Sequence, residues 1–165
     1  NIRFMSLKLE KTLVIIKPDA MQRNLLGEII TRFEKKGLKI VGLKMIQLQD
    51  IILDEHYAHH KDKPFFAGLK NYMTSSPVIV MALEGIEVVE AVRLLVGPTK
   101  SRIADAGSIR GDYSMSGQTN IIHASDSPEN AEAEVKRFFG TDELFNYKKI
   151  DFEFLYGDEE RNELV

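Results

Sequence analysis

The residue pattern predicts an α+β protein on the ferredoxin-like plan, a split βαβ repeat (βαββαβ) in which a mostly antiparallel sheet carries helices on one face, with a helical hairpin insertion. Two observations carry this. Compact β-branched and apolar runs alternate with runs of helical period in the order strand, helix, strand, helical insertion, strand, helix, strand, helix. Gly, Pro and Asp residues punctuate the junctions, and no internal repeat or linker interrupts the series.

Residues 12–16 form the first expected strand, stopped at Lys17-Pro18-Asp19 because proline can neither donate to a ladder nor continue a central strand. Gly27 leads into a helix over 28–36 whose Ile29, Ile30 and Phe33 share a face, with an acid in the first turn, Lys35 and Lys36 in the last and Gly37 as terminator. Residues 38–48 are rich in β-favouring side chains and read as a second, longer strand. Asp54 can cap a short helix through His60, Lys61-Asp62-Lys63-Pro64 breaks it, and 65–73 resumes as a second helix. Residues 78–83, between Pro77 and Gly85, are a third strand, and 87–96 a helix ended by Gly97-Pro98. The pattern then lapses over 97–117, a glycine-containing stretch of the kind that is more often functional than idle. Asn120 to His123 is the fourth strand. Ser127-Pro128-Glu129 starts a last helix running to about Phe139, with serine as cap and proline at the first helical position.

Composition narrows the function classes. The 165 residues suit one domain, taken as 5–157 with a polar tail over 158–165, and residues 1–4 read as additions ahead of a native start at Met5. With 22 basic against 25 acidic side chains, the net charge of −3 gives no general attraction to nucleic acid or anionic membranes, so a polyanionic ligand needs a local basic patch. The lack of cysteine removes disulfides, thiol catalysis and Cys-ligated zinc, and fits a cytoplasmic protein. No apolar run approaches the roughly 20 residues of a membrane span.

The chemistry centres on Asn120-Ile121-Ile122-His123-Ala124-Ser125, which brings one imidazole to the end of a short apolar strand. Histidine titrates near neutrality and serves as nucleophile, proton shuttle or ligand. Taken alone, the segment reads first as a hydrogen-bonded core histidine. Other element ends change that balance. Lys17 stands where the first strand stops, Arg93 is late in its helix, Thr99 follows it, and Gly107-Ser108-Ile109-Arg110-Gly111-Asp112 offers glycine amides and an arginine fork to an anion. Such a cationic set suits a phosphorylated imidazole. Tyr57 and Phe65-Phe66 either hold a planar base or seal the helical hairpin. His56, His59 and His60 read as a solvated helix face, with no acid spaced to complete a metal motif. Glu134 lies about two turns into the last helix, where it can reach back to His123 or face water. Neither a P-loop, a dinucleotide glycine fingerprint nor a Gly-x-Ser-x-Gly elbow is present.

From about Glu10 to Tyr156 these motifs, in order, resemble the nucleoside diphosphate kinase family: Lys17-Pro18-Asp19, Gly27-Glu28-Ile29-Ile30, Arg32-Phe33-Glu34, His56-Tyr57, Pro64-Phe65-Phe66, Ser108-Ile109-Arg110-Gly111-Asp112 and Asn120-Ile121-Ile122-His123. The resemblance implies a ping-pong exchange in which ATP, GTP or another nucleoside triphosphate phosphorylates His123, and the phosphohistidine then phosphorylates a nucleoside diphosphate. It implies that Lys17, Tyr57, Arg93, Thr99 and Arg110 hold phosphates, that Phe65 stacks on the base with Leu69 beside it, and that Asn120 with Lys17 meets the sugar. Ser125 and Glu134 are implied to orient the imidazole. Mg²⁺ on the nucleotide phosphates, rather than in a protein cage, and a homo-oligomer (a hexamer or tetramer built from dimers) belong to the same expectation. No membrane and no specific nucleic acid are expected as partners. The chain departs from the family's usual pattern at Gln118-Thr119, where Gly-Arg is usual, and at Ala124, where Gly is usual; Ser108, Ala20, the segment 100–106 and the tail also differ. Those departures leave open a non-catalytic nucleotide-binding protein on the same fold.

Overall fold

The computed structural model describes residues 7–164, so the expected start at Met5 lies outside the described residues. Four strands form one sheet in the order β2-β3-β1-β4: β1 (Leu9–Ile16), β2 (Lys39–Ile46), β3 (Val78–Ile86) and β4 (Ile122–Ala124). Every neighbouring pair is antiparallel, with β1 and β3 in the centre. This is the split βαβ order anticipated from the sequence. The helices are α1 (Pro18–Gln22), α2 (Leu26–Lys35), α3 (Asp50–His56), α4 (Phe66–Met73), α5 (Val88–Val96), α6 (Ile109–Tyr113), α7 (Pro128–Phe138), α8 (Phe152–Leu155) and α9 (Asp158–Glu163).

Period-2 alternation along β1 sends Val14 and Ile16 to one face of the sheet and Leu13 and Ile15 to the other, and all four are fully buried. The first face packs against the crossover helices α2 and α5 through Ile29, Phe33, Val88 and Val92. The second is covered by the inserted hairpin and α7 through Leu53, Phe66, Met73, Val135 and Phe138. The crossover helices therefore lie on one face, as the split βαβ plan requires, while the hairpin and α7 bury the opposite one. A sheet buried on both faces explains why the inner strand segments are continuous apolar runs.

Several boundaries differ from the sequence reading for identifiable reasons. Asp54 does not cap α3; the helix begins at Asp50 behind Gln49, and Asp54 instead accepts a bond from Lys70 Nζ at 2.7 Å, tying α3 to α4. A residue in mid-helix with a cross-helix partner has no need to cap. Pro18 opens the short helix α1 rather than only ending β1, a role that suits its fixed φ and missing N–H. The stretch 97–117 holds a 3₁₀ turn, Ser101–Ile103, and α6, whose N-cap Ser108 accepts from Gly111 N at 3.0 Å. Within the expected polar tail, 158–163 is helical, and just before it Leu155 covers Gly37 while Ile86 N donates to the Tyr156 hydroxyl at 3.3 Å.

Among the described residues Phe33 is the largest side chain that is wholly enclosed, so truncation there leaves a cavity between α2 and the sheet. Phe33→Ala is expected to cost about 3–5 kcal/mol, measured as a shift in the midpoint of denaturant unfolding. A loss below about 1 kcal/mol would mean that this interface is not where the core is closed.

Candidate active site

The β1–β4 pairing is the origin of the site. Ile15 faces His123 across the ladder, and since Lys17 is two residues beyond Ile15, both functional side chains emerge on the face covered by the hairpin and α7. Between them the chain turns sharply. Lys17 N donates to Ile121 O at 2.9 Å, while Ile121 itself has φ of 61°, a left-handed conformation that is uncommon for a β-branched residue. Its amide is held by Asp19 Oδ2 at 3.1 Å, and Asp19 also accepts a short bond from the Tyr72 hydroxyl. Asp19 thus locks the turn that aims Asn120 and His123.

His123 Nε2 lies 2.9 Å from Glu134 Oε2, and the Ser125 hydroxyl donates to that same oxygen at 2.6 Å. Ser125 is itself tied to the Leu13 backbone, accepting from its amide at 3.2 Å. Burial alone would raise the Glu134 carboxyl, but the bonds from His123 and Ser125 and the neighbouring imidazole charge outweigh it and hold the group down at about 2. An ionised carboxylate at Nε2 fixes the tautomer with the proton on that nitrogen. Nδ1 is left with the free lone pair.

The cationic side chains surround this imidazole. Arg110 is buried and donates from Nε to Asn120 O (3.3 Å), from one terminal nitrogen to Gly97 O (2.8 Å) and from the other to Ile122 O (2.6 Å). Three backbone carbonyls immobilise the fork and leave two of its five N–H groups for a ligand. The glycine amides expected to face an anion are spent elsewhere: Gly107 N donates to Asp112 and Gly111 N to Ser108. Arg110, not a backbone nest, is what this segment delivers. Lys17 Nζ donates to Asn120 Oδ1 at 2.7 Å, and Asn120 Nδ2 reaches Thr99 O at 3.2 Å. Burial, then the Arg110 charge, lower the Lys17 ammonium from 10.5 to about 7 against the opposing effect of Asp19. The buried Tyr57 hydroxyl has no hydrogen-bond partner, and burial pushes its pKa up, so it is a neutral donor awaiting an acceptor.

A cavity of about 980 Å³ joins these groups, and Lys17, Tyr57, Arg93, Thr99, Arg110, Asn120, His123 and Glu134 reach its wall together with Phe65 and Leu69 at the hairpin end. Phe65 is 44% exposed, so one aromatic face is available there rather than sealed in the hairpin. Ser125 sits behind the wall, against Glu134. The residues that the resemblance implied for phosphate, sugar, base and imidazole are therefore brought to one place, while the glycine amides of 107–111 are not. His56 is a correction: it is not on a solvated face but fully buried, its ring centroid 4.6 Å from that of His123 in an edge-on contact. Its pKa falls to about 3, chiefly through burial, so it is neutral. Arg137, missed altogether, lines the cavity and approaches His56 Nδ1 at 3.3 Å while donating to Glu55. The three-residue spacings from Leu53 to His56 and from Glu134 to Arg137 are the helical signal that puts each on a face with a residue near the sheet. Ala124 lies in β4 opposite Val14 and is not among the left-handed residues, so its methyl group demands no unusual backbone.

A cavity that gathers an imidazole with Lys17, Arg93 and Arg110 on its wall is suited to moving a phosphoryl group, and the class it defines is the phosphotransferases. The chain belongs to the nucleoside diphosphate kinase family, whose model matches residues 10–144. It is 57% identical to a nucleoside diphosphate kinase of Parabacteroides distasonis over 152 residues, covering 92% of this chain and 99% of that protein. A nucleoside diphosphate kinase of Methanobrevibacter smithii is 48% identical over 148 residues, covering 90% and 99%. Among solved structures, a halophilic nucleoside diphosphate kinase from Halobacterium salinarum in complex with CDP matches with a TM-score of 0.88 and 43% identity, covering 91% of this chain and all of that one.

The depressed Lys17 pKa has a sign that can be checked. Between pH of about 7 and 10.5 the unfolded chain binds a proton that the folded chain has released, so this group makes folding more favourable as pH rises through that window. Lys17→Met removes the slope. Its stability relative to wild type is expected to be greatest near neutral pH and to decline towards pH 10, measured by chemical unfolding across the range. Parallel pH dependences in the two proteins would contradict a desolvated amine.

Proposed function

We propose that His123 Nδ1 attacks the terminal phosphorus of a bound nucleoside triphosphate, the bond to the bridging oxygen breaks, and the nucleoside diphosphate departs. A second nucleoside diphosphate then attacks the phosphohistidine with its terminal oxygen and regenerates the imidazole. The carrying observation is the His123–Glu134 contact of 2.9 Å, which reserves Nε2 for a carboxylate and presents Nδ1 to the cavity. In this reading Arg110, Arg93, Lys17 and the unpartnered Tyr57 hydroxyl stabilise charge on the transferring group, Thr99 binds a phosphate, and Asn120 with Lys17 meets the ribose. A phosphate arriving beside Lys17 favours its protonated form, which supplies charge only once substrate is in place. Phe65 and Leu69 take the base through its face and edge, without polar readout, which fits several bases; CDP in the Halobacterium relative supports a pyrimidine among them.

The same reading places Mg²⁺ on the nucleotide phosphates. Mg²⁺ takes oxygen ligands and keeps several waters, and its chemistry is to neutralise phosphate charge. Of the cavity's carboxylates, Glu134 is committed to His123 and Ser125 and Glu55 to Arg137, while Asp126 accepts from Asn130 Nδ2 at 2.6 Å through Oδ1 and would have its other oxygen for a water of the hydrated ion. The catalytic unit is taken as 5–157. Self-association, as a hexamer or tetramer of dimers, is supported by β2 forming a sheet edge with Leu43 and Met45 about half exposed. Among the described residues no helix is long and apolar enough to cross a membrane. A cytoplasmic location is part of the proposal, supported by the absence of cysteine.

Incubation with γ-labelled ATP is expected to leave an acid-labile, base-stable phosphoprotein on the wild type and none on His123→Ala; equal labelling of the two would rule His123 out as nucleophile. Glu134→Gln, which keeps the shape but loses the charge that fixes the tautomer, is expected to slow phosphoenzyme formation by about 10²-fold in rapid-quench experiments, with little change in nucleotide affinity. An unchanged rate would remove Glu134 from the mechanism.

A further inference from the structure

We infer that His56, His123 and Glu134 form a site for a borderline-soft divalent cation such as Zn²⁺, and that its occupation silences the nucleophile. One ligand atom from each of the three residues lies within 4.8 Å of the other two. The Glu134 carboxylate stands between the imidazoles, with Oε2 2.9 Å from His123 Nε2 and Oε1 3.9 Å from His56 Nδ1. Two histidines and a glutamate are the donor set of open zinc sites, which hold the ion at about 2.0–2.2 Å and leave a position for water. Closing these side chains onto an ion takes movements on the order of 1 Å, within reach of rotamer adjustment. Imidazole donors suit Zn²⁺, Co²⁺ or Cu²⁺ and not Mg²⁺, so the site differs in kind from one carried on nucleotide phosphates.

His56 supplies the independent observation. Its side chain is wholly buried, yet Nε2 has no partner and Nδ1 has only the long 3.3 Å approach of Arg137. Nδ1 is the atom that faces Glu134, and the long Arg137 contact is all that a bond to an ion there would replace. Arg137 opposes a cation here, but its guanidinium is also anchored by Glu55 at 2.9 Å and does not depend on His56. The surrounding Lys17 and Arg110 act in the same opposing sense, which favours an ion that bonds strongly to nitrogen over one held by charge alone.

The consequence follows from proton accounting. A neutral imidazole carries one N–H, now on His123 Nε2 facing Glu134. When a metal takes Nε2, that proton must reside on Nδ1, and the lone pair that attacks phosphorus disappears. This consequence rests on the assignment of Nδ1 as nucleophile; the binding does not.

The test is titration of the metal-free protein with Co²⁺ alone, read by the visible d–d absorption of low-coordinate Co²⁺, followed by competition with Zn²⁺. One site per chain is expected, with affinity at least about tenfold weaker in His56→Ala and in His123→Ala and tighter in Arg137→Met, which removes the opposing charge. The gain in Arg137→Met cannot come from misfolding. Absence of the absorption, or a spectrum that survives both histidine variants, overturns the site. In a second arm, Zn²⁺ is expected to block labelling by ATP and a chelator to restore it; binding without that block overturns the silencing. Failure of labelling in metal-free wild type would indict the nucleophile assignment instead and leave the binding result intact.

Discussion

The pairing of β4 with β1 is the constraint on which the site depends. Only three residues of β4 pair with β1, yet that short ladder brings His123 opposite Ile15 and leaves Lys17 two residues further along the same face. The groups recorded against the imidazole come from elements packed on that face: His56 and Tyr57 at the end of α3, and Glu134 of α7. The opposite face, closed by α2 and α5, serves as the rigid backing and lends the cavity one group, Arg93 of α5. A reacting centre built at strand ends over a core buried on both sides is held more tightly than one built on loops alone.

Backbone strain is localised at the point where it is useful. Ile121 in the left-handed region costs on the order of 1–2 kcal/mol, and it persists because Asp19 holds its amide, Lys17 donates to its carbonyl and its side chain is fully buried. The payoff is geometric: the turn lets Asn120 and His123, three residues apart, both reach the cavity wall. Arg110 is fixed by the same turn, since two of its three carbonyl partners are Asn120 and Ile122. His123, Lys17 and Arg110 are thus tied to one stretch of main chain.

The strands, the crossover helices and the capped start of α7 were legible in the sequence because period, Gly and Pro positions and the Ser127-Pro128 pair all act locally. Candidate residues were legible singly as cations and a histidine at element ends, and as a set through the family resemblance. What was not legible depends on contacts distant in sequence. His56 and Glu134 are 78 positions apart in the numbering, and nothing near either shows that the hairpin folds back onto α7. The left-handed Ile121 is likewise invisible, since a β-branched residue there contradicts its own preference and only Asp19, about a hundred residues away, explains it. The helical character of 158–163 was hidden by its polarity, as there is no apolar face for periodicity to reveal.

The unpartnered hydroxyl of Tyr57 and the partly discharged amine of Lys17 have one common meaning. Both are buried polar groups whose hydrogen-bonding or charge is incomplete within the chain, so each carries a desolvation cost that a ligand of matching chemistry would offset. A ligand that completes them binds the folded chain alone and contributes RT ln(1 + [L]/Kd) to its stability. Resistance to unfolding is therefore coupled to whatever completes these two groups, and the polypeptide is least open to proteolysis when both are satisfied.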